Sequence, residues 1–254
     1  MAKTVWRGTR ADTHREDALR VGFWDGHSPR QSKDTFASLF SEEWIEFNDI
    51  APPQIYPDAT ELFCQDSPAC EVYIINRGLV KLMRVEQEGH GLIVGLRFPG
   101  WILGSAAVLL SKPHPITAVT LTKCQLCRVP SETFLKLLSR DSQLSWHLLQ
   151  MLSREVVQQS VRVAQLGCLS AAYRFEQLLW QLIMALGLHQ AHESIRLQLP
   201  LKHREIAELI AVTPEHLSRI LKKMQDKGII AQHKGWMVIL DPDKIRQVAG
   251  DDQF

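Results

Sequence analysis

Residues 202–228 constrain this chain more than any other stretch. Residues 202–210 read as one amphipathic helix with Ile206, Leu209 and Ile210 turned inward, and Ala211-Val212 leaves room only for a tight turn. Thr213 then offers an N-cap oxygen, and Pro214 stands at the first helical position, where its missing N–H costs nothing. Leu217, Ile220, Leu221 and Met224 face a core, and Gly228 lies just past the end. Two helices joined in this way form a helix-turn-helix. Residues 229–232 and 236–239 then read as strands around His233-Lys234-Gly235, which adds a wing.

The outward face of the second helix carries Glu215, Ser218, Arg219 and Lys222 at i, i+3, i+4 and i+7, so they share one stripe. In a major groove, Arg219 can donate twice to guanine, Glu215 can accept from cytosine N4, and Ser218 can do either. Thr213, His216, Lys222 and Lys223 are placed near phosphates. The plainer alternative is a three-helix packing unit decorated by a solvated Glu–Arg pair. The formal net charge is only +1, so any surface for double-stranded DNA is a local patch.

Upstream the texture differs. Residues 1–34 are polar and aperiodic and read as an extension; a short helix is expected over residues 34–45, with Phe36, Leu39, Phe40 and Trp44 on one side. Between residues 48 and 130, short apolar runs alternate with Gly- and Pro-bearing turns, the mark of an antiparallel barrel or sandwich. Near Ser131 the period becomes helical. Leu149, Leu152, Val156, Gln159, Val163 and Leu166 follow at spacings of 3 and 4, which is a coiled-coil seam with polar flanks. Such a seam points to a homodimer; the alternative is a helix lying on its own barrel. Gly167 is expected to interrupt this helix and Ser170 to cap the next, which Gly187 ends. The expected division is a polar extension (1–34), a β-roll (35–140), a dimer helix (141–168) and a winged helix-turn-helix (169–254). The fold class is α+β, with a jelly-roll-like β-roll at the N-terminal side. No apolar run is long enough to span a bilayer, and the N-terminus lacks the apolar core of a signal peptide. Five cysteines, an odd number, argue against a secreted disulfide framework, and a cytoplasmic protein is expected.

In this order, these residues resemble the Crp/Fnr family of bacterial transcription regulators. Tyr56-Pro57, Gly78-Leu79-Val80, Gly89, Phe98-Pro99-Gly100 and Gly104 resemble its cyclic-nucleotide-binding-type roll, and residues 213–221 resemble its recognition helix. Glu215, Ser218 and Arg219 match the Glu-x-x-Ser-Arg pattern of the Fnr branch; Pro214 stands where the cAMP-receptor branch has an extra arginine. The resemblance implies a regulator, not an enzyme, that reads a two-fold site with TTGA-like half-sites, engages RNA polymerase and is gated by a small molecule at the roll.

The effector is not legible. The family's cAMP-binding members hold ribose and phosphate with a Gly-Glu-Leu turn and an Arg-Ser-Ala. Here the first is Gly104-Ser105-Ala106, and near Thr117 the arginine is absent, with Pro115 or Ile116 near its place. Gln159 and Ser160 occupy the family's two hydroxyl positions on the dimer helix. A buried phosphate needs a cation or a nest of N–H donors, so tight cAMP binding is not expected. No cysteine precedes Cys64, which argues against an Fnr-type iron–sulfur sensor. Cys124 and Cys127 form a C-x-x-C, but residues three apart on a strand point to opposite faces, so two separate structural cysteines are expected. No cofactor is expected; the alternatives left open are haem on His90, His114 or His147, and a metal shared by Cys64, Cys70 and His90. Trp101, Trp146 and Trp180 read as core or interface aromatics. Two rival functions remain: an effector-independent DNA-binding protein with a degenerate roll, and a cupin-like metal enzyme, which would need clustered His and carboxylate ligands.

Overall fold

The computed structural model describes residues 51–85, 91–186, 188–189, 194–233 and 235–250. The polar extension, the helix expected over residues 34–45, and His90, Gly187 and Lys234 lie outside them.

Eight strands build a two-sheet roll: β1 (Gln54–Tyr56), β2 (Glu61–Phe63), β3 (Glu71–Arg77), β4 (Val80–Val85), β5 (Gly91–Arg97), β6 (Ile102–Leu103), β7 (Thr117–Thr120) and β8 (Cys124–Pro130). One four-stranded sheet runs β1-β8-β3-β6 and the other β2-β7-β4-β5, with antiparallel pairing throughout. A short helix, α1 (Ser105–Leu110), interrupts the strands between β6 and β7.

The first sheet is buried on both faces, and the pleat sorts its residues. Tyr73 and Ile75 of β3, with Cys124 and Leu126 of β8, point into the roll. Val72 and Ile74 of β3, with Cys127 and Val129 of β8, point outward, where α2 (Ser131–Arg140) and α3 (Ser142–Cys168) cover them with Phe134, Leu144, Leu148 and Met151. On β3, burial on two faces replaces the usual polar alternation by the apolar run Val72-Tyr73-Ile74-Ile75. It also separates the C-x-x-C pair: Cys124 and Cys127 belong to different cores.

Helix α3 has 27 residues, a rod about 40 Å long at 1.5 Å per residue. Asp141 caps it, its side chain accepting from the N–H groups of Gln143 and Leu144. The helix runs through Gly167 to Cys168 rather than breaking at the glycine; Leu169 is extended, and Ser170 accepts the Tyr173 N–H at 3.2 Å. Helix α4 (Ala171–Leu186) then leads into a four-stranded sheet of order β11-β12-β10-β9, made of β9 (Leu188–His189), β10 (Ile195–Leu197), β11 (Ile230–His233) and β12 (Trp236–Ile239). Between β10 and β11 come α5 (His203–Leu209) and α6 (Pro214–Asp226), and α7 (Pro242–Gly250) follows the sheet.

The C-terminal core is not self-contained. Phe175, Leu179, Leu182, Leu197, Ile210, Leu217 and Ile239 share one buried cluster with Leu79, Ile93 and Leu96 of the roll. Within this unit the reading head therefore sits on the β4–β5 side of the roll.

Candidate nucleic-acid interface

Helix α6 is positioned by its ends and by one face. The Thr213 hydroxyl oxygen accepts the His216 N–H at 3.3 Å, and Pro214 fills the first turn. At the other end Gly228 adopts φ +66°, its N–H reaching Gln225 O at 2.9 Å, while the Ile229 N–H reaches Met224 O at 3.0 Å. That pair of bonds is a Schellman closure, which needs a left-handed residue at Gly228. Leu217, Ile220, Leu221 and Met224 are buried. Helix α5 closes in the same way: the Ala211 N–H meets Glu208 O and the Val212 N–H meets Ala207 O, with Ala211 at φ +53°. The turn between the two helices thus holds a left-handed alanine.

With one face of α6 buried, the other carries the candidate contacts. Glu215, His216, Ser218, Arg219, Lys222 and Lys223 are all exposed, as is Thr213. The Ser218 hydroxyl donates to Pro214 O at 3.1 Å, which leaves its oxygen free to accept from outside. The Glu215 carboxyl lies below the usual carboxylate range because its own backbone N–H and the Thr213 hydroxyl donate to it, with smaller contributions from Arg219 and His203. Among the described residues no ion pair links Glu215 to Arg219, so the stripe is not closed on itself. A helix presenting a fixed acceptor and a guanidinium one turn apart can pair with both partners of a base step.

The seam positions form a second exposed surface. Leu149, Val156, Val163 and Leu166 are 54%, 67%, 70% and 44% exposed, and Gln159 is exposed among them; only Leu152 is half-buried. Trp146, three residues before Leu149, is 57% exposed beside this stripe. The adjacent face of α3, with Leu144, Leu148 and Met151, packs on the roll. One side of α3 thus lies on its own chain, while the seam positions other than Leu152 are exposed.

The candidate effector residues divide. Gly104, at φ +83°, starts α1; Ser105 is buried, Ala106 is exposed, and Thr117 is half-buried with its hydroxyl accepting the Gln65 N–H at 2.9 Å. Gln159 and Ser160 are exposed on α3, and the Ser160 hydroxyl donates to Val156 O. A second buried polar side chain beside Gly104 is His114. It is 2% exposed and stacks on Phe63 at 3.9 Å, and its Cε1 lies 3.1 Å from where a Gly104 Cβ would be. Burial pushes its pKa down, opposed by Glu71. Glu71 itself accepts from the Tyr73 hydroxyl and from Arg128. In sequence His114 reads as one of three candidate haem ligands; its place beside Gly104 and Phe63 depends on how the turn from α1 to β7 folds.

The cysteines offer no assembled site. Cys124 and Cys127 are buried, and burial raises both thiols, Cys127 to about 11. Thiols so raised are poor nucleophiles and poor metal ligands at neutral pH. Cys64 and Cys70 are exposed, with the Cys64 thiol donating to Glu61. Among the described residues no group of three or more His, Cys, Asp and Glu side chains could hold a metal ion. No helix of the described residues is long and apolar enough to cross a membrane.

Comparison with known proteins bears on both halves. The cyclic nucleotide-binding domain family matches residues 53–141, and the Crp-like helix-turn-helix domain family matches residues 174–248. The chain is 29% identical over 188 residues to the global nitrogen regulator of Synechococcus elongatus, covering 73% of this chain and 84% of that protein. It is 25% identical over 215 residues to the nitrogen fixation regulation protein FixK of Bradyrhizobium diazoefficiens, covering 84% and 88%. The solved structure of FixK2 from Bradyrhizobium japonicum superposes with a TM-score of 0.66 at 22% identity, covering 78% of this chain and 96% of that one, a likeness of fold.

Proposed function

The chain belongs to the Crp/Fnr family of transcription regulators, and we propose that it works as a homodimer that reads an inverted repeat of TTGA-like half-sites through α6, gated by a small molecule at the roll other than cyclic AMP. The observation that carries this reading is the exposed stripe of Glu215, Ser218 and Arg219 on a helix whose other face is buried. Arg219 donates to guanine, Glu215 accepts from the cytosine amine, Ser218 serves either, and Thr213, His216, Lys222 and Lys223 bind phosphates. The dimer is supported by the apolar seam from Leu149 to Leu166. The division into an extension (1–34), roll (35–140), dimer helix (141–168) and reading head (169–254) belongs to the same proposal, as do a cytoplasmic location and contact with RNA polymerase. Selection from random duplex DNA tests it: an inverted repeat with TTGA-like arms is expected, and enriched DNA without that symmetry refutes it.

The proposed exclusion of cyclic AMP rests on charge. His114, held toward its neutral form by burial, supplies no fixed cation beside Gly104 and Ser105 for a phosphate. Titration calorimetry is expected to show no binding at micromolar nucleotide; micromolar or tighter affinity refutes the exclusion. The packing of Phe63 and His114 over Gly104 also favours a second reading, in which the roll takes no effector and the head is always competent. DNA affinity measured before and after small molecules are stripped from the protein separates the two: a change supports gating, and no change supports the ungated head.

A further inference from the structure

A small group of residues joins the roll, the dimer helix and the reading head. Strand β5 carries a bulge opposite β4: Leu82 pairs with Gly95 and Met83 with Ile93, so Val94 has no partner in the register. A bulged residue leaves the ladder and its backbone can be aimed elsewhere. The Val94 carbonyl accepts from Arg162 of α3 at 2.6 Å. The other arm of the same guanidinium donates at 3.3 Å to Leu209 O, the last residue of α5, where a helix end leaves carbonyls unsatisfied. Beside it the Arg174 guanidinium donates to Ile210 O at 3.0 Å and to Leu169 O at 2.7 Å.

The surroundings are fitted to this guanidinium. Arg97 Nη1 lies 3.0 Å from where a Gly95 Cβ would be, so a side chain at 95 would crowd Arg97, while Arg162 Nη1, at 3.7 Å, would be in ordinary contact with it. Arg97 pairs with Glu155 of α3 and lies over the Trp101 ring. A second strut crosses nearby: Lys81 of β4 meets Glu205 of α5 at 2.5 Å, both side chains about one-sixth exposed. Glu205 also accepts the Lys202 N–H at 2.7 Å, which holds the start of α5.

We propose that Arg162 is a positioning residue for DNA reading: by clamping Val94 of the roll and Leu209 of the helix-turn-helix to the dimer helix, it fixes the distance and angle between the two reading heads of a dimer. Lys81 and Glu205 steady the same joint. The inference rests on the dimeric reading above. Two heads on a rigid frame act at high effective concentration toward a correctly spaced pair of half-sites, and a loosened frame loses that advantage without losing either head. Half-site binding should therefore be indifferent to the clamp, while two-site binding and its spacing preference should depend on it.

The test measures the affinity of the wild-type chain and of Arg162→Met, Arg162→Lys and Glu205→Gln for three duplexes: a single half-site, the selected inverted repeat, and that repeat with two base pairs inserted at its centre. Arg162→Met is expected to lower affinity for the selected repeat about tenfold, to leave half-site affinity unchanged and to bring the two spacings within threefold of one another. Arg162→Lys, which cannot donate as a fork to two carbonyls, should fall between, and Glu205→Gln should shift the spacing ratio in the same direction by less. An unaltered spacing ratio in Arg162→Met overturns the proposal, as does tighter binding of the repeat, which would make the clamp a restraint. Equal loss on all three duplexes in both Arg162 variants assigns the residue to folding alone and overturns it too. If the wild-type chain itself shows no preference between the spacings, the dimeric reading fails and takes the inference with it.

Discussion

The reading head and the sensor roll solve opposite problems with similar materials. The head turns its chemistry outward: Glu215, Ser218 and Arg219 stand on a helix anchored by four buried apolar residues and a capped end. The roll turns its chemistry inward: His114 stacks on Phe63, and Tyr73, beside the same ring, donates its hydroxyl to Glu71. One site is a property of a single 13-residue helix, the other of a tertiary assembly. A local site can be disabled by one side chain, whereas an assembled one responds to conditions that act on its whole surroundings. The seam stands between them, local in pattern but incomplete without a second copy.

The largest expected effect tests that middle region. Val156→Asp with Val163→Asp places two carboxylates per chain in the seam, and four in a dimer. Burying unpaired charges costs several kcal/mol, so affinity for an inverted repeat should fall by at least about a hundredfold. Mass photometry should show monomers. Since both positions are about two-thirds exposed within one chain, the melting of the monomer should hardly change. A variant that stays dimeric would show that the seam is not the dimer contact.

The head comes next. Arg219→Ala should cost about 1–3 kcal/mol in affinity for the selected site, with discrimination lost mainly at one base pair. Lys222→Ala should instead weaken binding on all sequences and lower the salt slope by about one. Fluorescence anisotropy across salt and across single-base variants distinguishes these. If Arg219→Ala weakened all sequences alike, the base-reading role would pass to another residue of the stripe.

These contrasts also explain what the sequence made legible. The helix-turn-helix was readable because its signals are local: Thr213-Pro214 starts a helix, apolar spacing gives its buried face, and Gly228 stops it. The seam was readable for the same reason. Strands β9 and β10, with two and three residues, carry no period long enough to see; β10 pairs along the edge of β12, and β9 along that of β10. Helix α7 likewise went unread. Gly167 reads as a break, yet α3 continues one residue beyond it. Arg162 read as a polar flank of the seam because its two acceptors are backbone carbonyls, Val94 O and Leu209 O, which no side-chain pattern announces.

A smaller effect probes the roll. Burial depresses the His114 pKa, so the folded chain resists a proton that the unfolded chain accepts near its ordinary value of about 6.5. The unfolded state then binds more protons, and stability rises with pH through that window. The contribution is complete above about pH 6.5 and is lost as pH falls toward the depressed folded value. Melting temperature should decline between pH 7.5 and 5.5, and His114→Phe, which keeps a ring against Phe63, should flatten part of that decline. An identical slope in the variant would assign the pH response to the other histidines. DNA affinity at fixed pH should be unaffected, which distinguishes the inward site from the outward one.

The smallest expected effect lies in the turn that sets the head's geometry, and it compares the head with itself. Helices α5 and α6 end in the same hydrogen-bonded closure, one with Ala211 at φ +53° and the other with Gly228 at φ +66°. A left-handed backbone costs a residue with a Cβ about 1–2 kcal/mol, while glycine's freer unfolded chain returns about 0.4–1 kcal/mol of that difference. Ala211→Gly should therefore stabilise by about 0.5–1 kcal/mol, a rise of about 1–4 °C in melting temperature. Gly228→Ala should destabilise by a similar amount. Nothing lies within 4 Å of a Cβ built there, so the cost is conformational rather than steric. Opposite signs from the two substitutions would establish that the closures are equivalent. A loss of stability in Ala211→Gly would instead mean that the Ala211 methyl makes a contact worth more than its backbone strain. The helix-turn-helix angle would then be held by packing rather than by the turn.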